Sequence, residues 1–174
     1  PRSPSRSRRR RSRLPRKPQD DTRSVYDKAL GLLARREHSA RELKTKLAVR
    51  GHATGEAAPA LARLRDQHYQ SDARFAASLS RRRAEQGYGP RRIEAELRMH
   101  GLVDAAIRDA VAGLDIDWTR LASGQLLRRF GGGPAGDRAE RAKRAGFLLR
   151  RGFDPATVRA VTRAEVDDPG PDFD

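Results

Sequence analysis

The chain has 174 residues, 36% hydrophobic and 5% aromatic, and 38 Lys and Arg against 23 Asp and Glu give it a formal net charge of +15. Such a length buries one sizeable core or a row of small ones, and so few aromatics favour modest packing built from alanine and leucine. With no cysteine, disulfide frameworks and thiolate metal sites are excluded, and no apolar run approaches the roughly 20 residues of a membrane-spanning helix.

Residues 1–18, PRSPSRSRRRRSRLPRKP, carry eight arginines and one lysine and no acid. Proline, serine and self-repelling arginine around a single leucine cannot offset chain entropy by burial, so residues 1–23 are predicted to be a disordered basic arm. Its Arg6, Arg8, Arg9, Arg10, Arg11, Arg13, Arg16 and Lys17 are candidate contacts to nucleic-acid phosphates. It lacks the apolar segment of a secretory signal. The expectation is a soluble, cytoplasmic chain that does not bind membranes.

Helical spacing begins near Ser24, with Val25, Ala29, Leu32 and Leu33 on one face. Ser39 and Glu42 form an S-x-x-E capping box for a second helix with Leu43 and Leu47 inward, and Gly51 stops it. Thr54 is placed to cap a third helix carrying Ala57, Leu61 and Leu64. The pattern then recurs. Gly51, Gly101 and Gly152 each follow a leucine by four residues, at Leu47, Leu97 and Leu148, with spacings of 50 and 51. Such a period is the signature of tandem repeats.

In the second unit Asp72 is expected to cap a helix with Phe75 and Leu79 one turn apart. Gly87-Tyr88-Gly89-Pro90 breaks that helix and opens another, in which Ile93 and Leu97 face inward and Gly101 offers a left-handed stop. A third helix runs near 103–113 through Ile107 and Val111. The last unit opens near Asp117 with Trp118, Leu121 and Leu126 and crosses Gly131-Gly132-Gly133-Pro134. It resumes with Phe147 and Leu148, then Val158 and Val161. Arg144 there takes the place of Leu43 and Ile93. The predicted fold is therefore all-α, an elongated array of three tandem three-helix repeats at 24–70, 71–115 and 116–164, followed by an acidic tail at 165–174.

Catalytic constellations are absent from this reading. His38, His52, His68 and His100 are not spaced to meet on one helix face, so neither a metal nor a base is assigned to them. The three glycines at 131–133 lack the preceding strand and the Lys-Ser/Thr of a P-loop. No catalytic residue, cofactor or metal is expected. The basic faces are the candidate site: Arg74, Arg81 and Arg82 on one helix precede Arg91, Arg92 and Arg98 on the next, so a tight turn can gather six guanidinium groups toward a polyanionic or acidic partner. Tyr88, between two turn glycines, fits either stacking on a partner or packing across the helix junction.

The segment SDARFA, followed after a short helix by GYGPRRIEAELRMHG, resembles the central signature of the RecX family, regulators of the RecA recombinase. That resemblance implies a non-enzymatic, mainly negative modulator that lodges along the RecA–single-stranded DNA filament and inhibits its recombinase, ATPase and coprotease activities. It also implies RecA and single-stranded DNA as partners, with double-stranded DNA a further candidate, and a monomeric chain. The competing class is a helix-turn-helix module that acts directly on DNA.

Overall fold

In the computed structural model, residues 24–133 and 136–163 are described; the basic arm at 1–23 and the acidic tail at 165–174 lie outside them. All regular structure among the described residues is helical. The first triplet is α1 (Val25–Leu33), α2 (Ala40–Val49) and α3 (Thr54–Asp66). The second is α4 (Asp72–Glu85), α5 (Pro90–Met99) and α6 (Asp104–Ala112), and the third α7 (Trp118–Phe130), α8 (Arg138–Arg150) and α9 (Pro155–Thr162).

Local chemistry sets most of these ends. Ser24, Ser39 and Ser71 accept from Asp27 N–H, Glu42 N–H and Arg74 N–H, and Asp117, Asp137 and Asp154 do the same for α7, α8 and α9. Each satisfies a donor that the helix itself cannot reach. Pro90 and Pro155 occupy first-turn positions, where a missing N–H removes no helical bond. Gly51, Gly101 and Gly152 follow α2, α5 and α8 at φ of +85°, +81° and +83°.

Two caps differ from expectation. Helix α3 is preceded by Ala53, not capped by Thr54, and has no side-chain cap hydrogen bond. Asp72 is the first helical residue of α4, because its neighbour Ser71 already supplies the cap. Its carboxylate accepts instead from Ala40 N–H at the start of α2, 2.8 Å away, and from Gln70 Nε2, also at 2.8 Å. Asp72 thus closes the end of a helix in the preceding repeat. The Ser39–Glu42 box is likewise half of what its pattern suggests: Ser39 Oγ accepts from Glu42 N–H, while the Glu42 carboxylate turns to Arg36 and His38.

Three cores form in sequence. Ala29, Leu43, Leu47, Ala57, Leu61 and Leu64 build the first. Phe75, Ala76, Leu79, Ile93, Leu97 and Ile107 form the centre of the second, and Ala122, Leu126, Ala145, Leu148, Phe153 and Val158 build the third. Trp118 packs against both the second and third cores. Fully burying one such aliphatic side chain contributes about 1.5–3 kcal/mol, so each triplet holds its own small core and leans on its neighbour, as tandem repeats do.

Candidate partner-binding surface and the joints that position it

The turn between α4 and α5 is held from both sides. Arg83 on α4 grips Glu96 on α5 through Nε–Oε2 at 2.6 Å and Nη2–Oε1 at 2.5 Å, and its Nη1 donates to Gln86 Oε1 at 2.7 Å. This bidentate pair holds the Glu96 carboxyl below the usual carboxylate range, chiefly through the hydrogen bonds from Arg83, against the opposing effect of burial. The Arg83 guanidinium is raised for the same reason. Charge-assisted pairs of this geometry contribute about 1–3 kcal/mol when partly buried.

The turn itself docks on the third repeat, backbone to backbone. Gly89 N–H donates to Arg151 C=O at 2.8 Å and Arg91 N–H to Gly152 C=O at 3.0 Å. Neither glycine has room for a side chain: a Cβ on Gly89 would lie 2.4 Å from Gly152 backbone atoms, and one on Gly152 2.4 Å from the Arg92 backbone N. Arg151 reaches back to the Gln86 and Gly87 carbonyls at 3.0 and 3.3 Å. Tyr88 sits among cations, with the guanidinium carbons of Arg83, Arg92 and Arg151 at 5.9, 5.8 and 5.6 Å from its ring centre. That contact geometry gives Tyr88 a packing role across the joint.

The six arginines expected to form one cluster are consequently divided among different tasks. Arg74 points to the first repeat, where Nε donates to Glu37 at 2.8 Å and Nη2 to the Tyr69 carbonyl at 2.9 Å. Arg98 lies between Glu94 and Asp104 at 3.6 and 3.2 Å. Arg92 lies over Tyr88, and Arg91 is half-buried where its N–H meets Gly152. Arg81 and Arg82 are exposed on α4, and their guanidinium groups make no hydrogen bond or ion pair with another described residue. Of the six, these two are the best placed to meet a partner.

Charge by repeat adds a feature that motif reading passed over. Residues 71–115 hold eight Lys/Arg against seven Asp/Glu, whereas residues 116–163 hold eleven against four. The positive surface of the folded chain is concentrated in the third repeat. Counting charge per repeat, rather than searching for arginine-rich turns, would have found it.

The comparisons with known proteins agree with this repeat order. Residues 26–64, 71–111 and 115–162 match the RecX first, second and third three-helix domains. The regulatory protein RecX of Xanthomonas axonopodis pv. citri (strain 306) is 48% identical over 141 residues, covering 81% of this chain and 87% of the relative. The chain belongs to the RecX family. A RecX-family relative from Stenotrophomonas maltophilia (strain R551-3), also named regulatory protein RecX, is 45% identical over 153 residues, covering 88% of this chain and 93% of its own length. Among solved structures, RecX from Lactobacillus salivarius superposes with a TM-score of 0.67 at 21% identity, covering 80% of this chain and 92% of that one, and so supports the fold.

Proposed function

We propose that this chain is a non-enzymatic, cytoplasmic regulator of the RecA recombinase that binds the RecA–single-stranded DNA filament as a monomer and lowers recombinase, ATPase and coprotease activity. The observation that carries this reading is the run of three consecutive RecX three-helix domains over the folded chain. Tandem repeats present an extended surface that suits a repeating filament, and exposed arginines at Arg81 and Arg82 suit acidic protein or phosphate along its groove. The basic arm would add sequence-independent DNA affinity.

A helix-turn-helix that reads duplex DNA directly fits less well. Such a module places the N-terminal end of its second helix against base edges in the major groove. Here that end, Gly89 to Arg91, is covered by the Arg151–Gly152 turn. The test is RecA-driven ATP hydrolysis on single-stranded DNA in the presence of the parent or the Arg81→Ala/Arg82→Ala variant, each checked by circular dichroism. The expected result is unchanged helicity with inhibition weakened several-fold. A folded variant that inhibits as well as the parent would remove the two arginines from the site, and a parent that leaves hydrolysis unaffected would remove the function.

A further inference from the structure

The third repeat departs from the pattern of the other two at two places, and the departures adjoin. At the position eight residues before the helix-ending glycine, Leu43 and Ile93 are fully buried, but the third repeat has Arg144. The connection before its second helix, residues 131–137, is also the longest of the three and is rich in glycine. An arginine cannot stay in an apolar core without partners. Arg144, its side chain only 13% exposed, accordingly finds polar partners, donating to the Gly133 carbonyl at 2.9 Å and to Glu140 at 3.1 Å. What results is a groove of about 640 Å³ lined by Gly132, Gly133, Arg141, Arg144, Thr162 and Arg163, among others.

We propose that this groove is a binding site for the phosphodiester backbone of single-stranded nucleic acid. Arg141 projects from α8 and Arg163 from the cap that follows α9, and their guanidinium groups have no hydrogen-bond or ion-pair partner among the described residues. The Glu140 carboxylate is already held by Arg144 and by Lys143, at 3.1 and 3.8 Å. A cation at Arg163 has a plain structural use at the carbonyl end of α9; that use does not extend to Arg141. Half-buried Phe130 stands beside the groove with Arg129, Lys143 and Arg144 between 5.5 and 5.9 Å from its ring centre. An aromatic face among cations that track a backbone is how sequence-indifferent single-strand sites are built. The ring is held in place by an edge-to-face contact with Phe147 at 5.5 Å, and the excess of eleven Lys/Arg over four Asp/Glu in residues 116–163 favours a polyanionic strand as the occupant. This inference deepens the RecA-filament reading, but its test contains no RecA, so the two fail separately.

The experiment measures binding of the full chain to a fluorescein-labelled oligo-dT strand by anisotropy across a salt series. Arg141→Gln/Arg163→Gln is compared with Arg35→Gln/Arg65→Gln, which removes equal charge from exposed positions on the first repeat, and circular dichroism checks both folds. Each lost phosphate contact lowers the slope of log affinity against log salt by about 0.7 for a single strand, so the groove variant should lose about 1.4 and the control much less. Equal losses in both variants, or no loss in the groove variant, would overturn the site.

Discussion

The two joints between repeats are built from different materials. Between the first and second repeats the contacts are made by side chains: Asp72 on Ala40 N–H, Gln70 Nε2 on the Asp72 carboxylate at 2.8 Å, and Arg74 on Glu37. Between the second and third repeats the chain meets itself directly, Gly89 and Arg91 against Arg151 and Gly152. A side-chain joint can be loosened by a change of charge or length; a backbone joint responds chiefly to added bulk. The second and third repeats are therefore the more firmly coupled pair, while the first repeat is attached through side chains alone.

The three helix-ending glycines separate backbone strain from crowding at the joint. All have similar positive φ, yet a Cβ on Gly51 meets nothing within 4 Å, one on Gly101 comes 3.1 Å from the flexible Arg41 Cδ, and one on Gly152 comes 2.4 Å from Arg92 backbone and Cβ atoms. Alanine at Gly51 should cost about 1–2 kcal/mol, the usual cost of a left-handed residue with a side chain. Alanine at Gly152 adds overpacking of about 1–3 kcal/mol, so it should destabilise by about 2–5 kcal/mol and alter the small-angle scattering profile as the joint opens. Gly101→Ala should fall between them. Urea denaturation of the three variants measures the order, and equal losses at Gly51 and Gly152 would show that the backbone joint does not hold the repeats together.

At the side-chain joint the expected effect is smaller. Asp72→Ala leaves Ala40 N–H without its acceptor at the start of α2 and frees Gln70, and losing a helix-end acceptor costs about 0.5–2 kcal/mol. Ser71 still caps α4, so the damage should appear in the first repeat rather than the second. Hydrogen exchange would show earlier opening of α2 with α4 amides unaffected; the reverse pattern would restore Asp72 to its own helix.

That reversal also explains what was legible in the sequence. Helix ends are local, so Gly51, Gly101 and Gly152, Pro90 and the Ser39 cap marked the triplets, and the 50- and 51-residue spacing gave their register. The substitution of Arg144 for an inward aliphatic was equally plain. Joints are not local. Nothing near Asp72 says that its acceptor atoms belong to α2 when Ser71 is equally able to cap α4, and no periodicity pairs Gly89 with Gly152. Gly87-Tyr88-Gly89 read as a turn because glycine permits one; its close approach to a distant backbone has no local signature. The arginines followed the same rule, since charge on a helix face is visible in sequence, but the commitments of Arg74 to Glu37 and Arg98 to Glu94 and Asp104 depend on packing.

The smallest expected effect is one that pH alone brings out. His38 is buried, with Nδ1 2.9 Å from Glu42 Oε2. Burial, the largest influence, lowers its pKa below the ordinary 6.5; Arg36 and Lys46 push the same way, and Glu42 opposes them without prevailing. The unfolded chain therefore binds a proton at His38 more readily than the folded one, and stability must fall as pH drops below about 6.5 toward the lower folded value. Glu42 acts in a separate, more acidic window. Burial raises its carboxyl, but hydrogen bonds from Arg36 and His38 and their charges bring it to a net value below the ordinary 4.5. Its contribution is present above that value and is lost as pH falls through the depressed one. Replacing His38 with glutamine should thus flatten the stability profile between pH 7 and 5.5 and leave a decline below about pH 4.5. Urea midpoints taken across that range test it. If the variant loses stability between pH 7 and 5.5 as steeply as the parent, His38 is not the group that titrates in the first repeat.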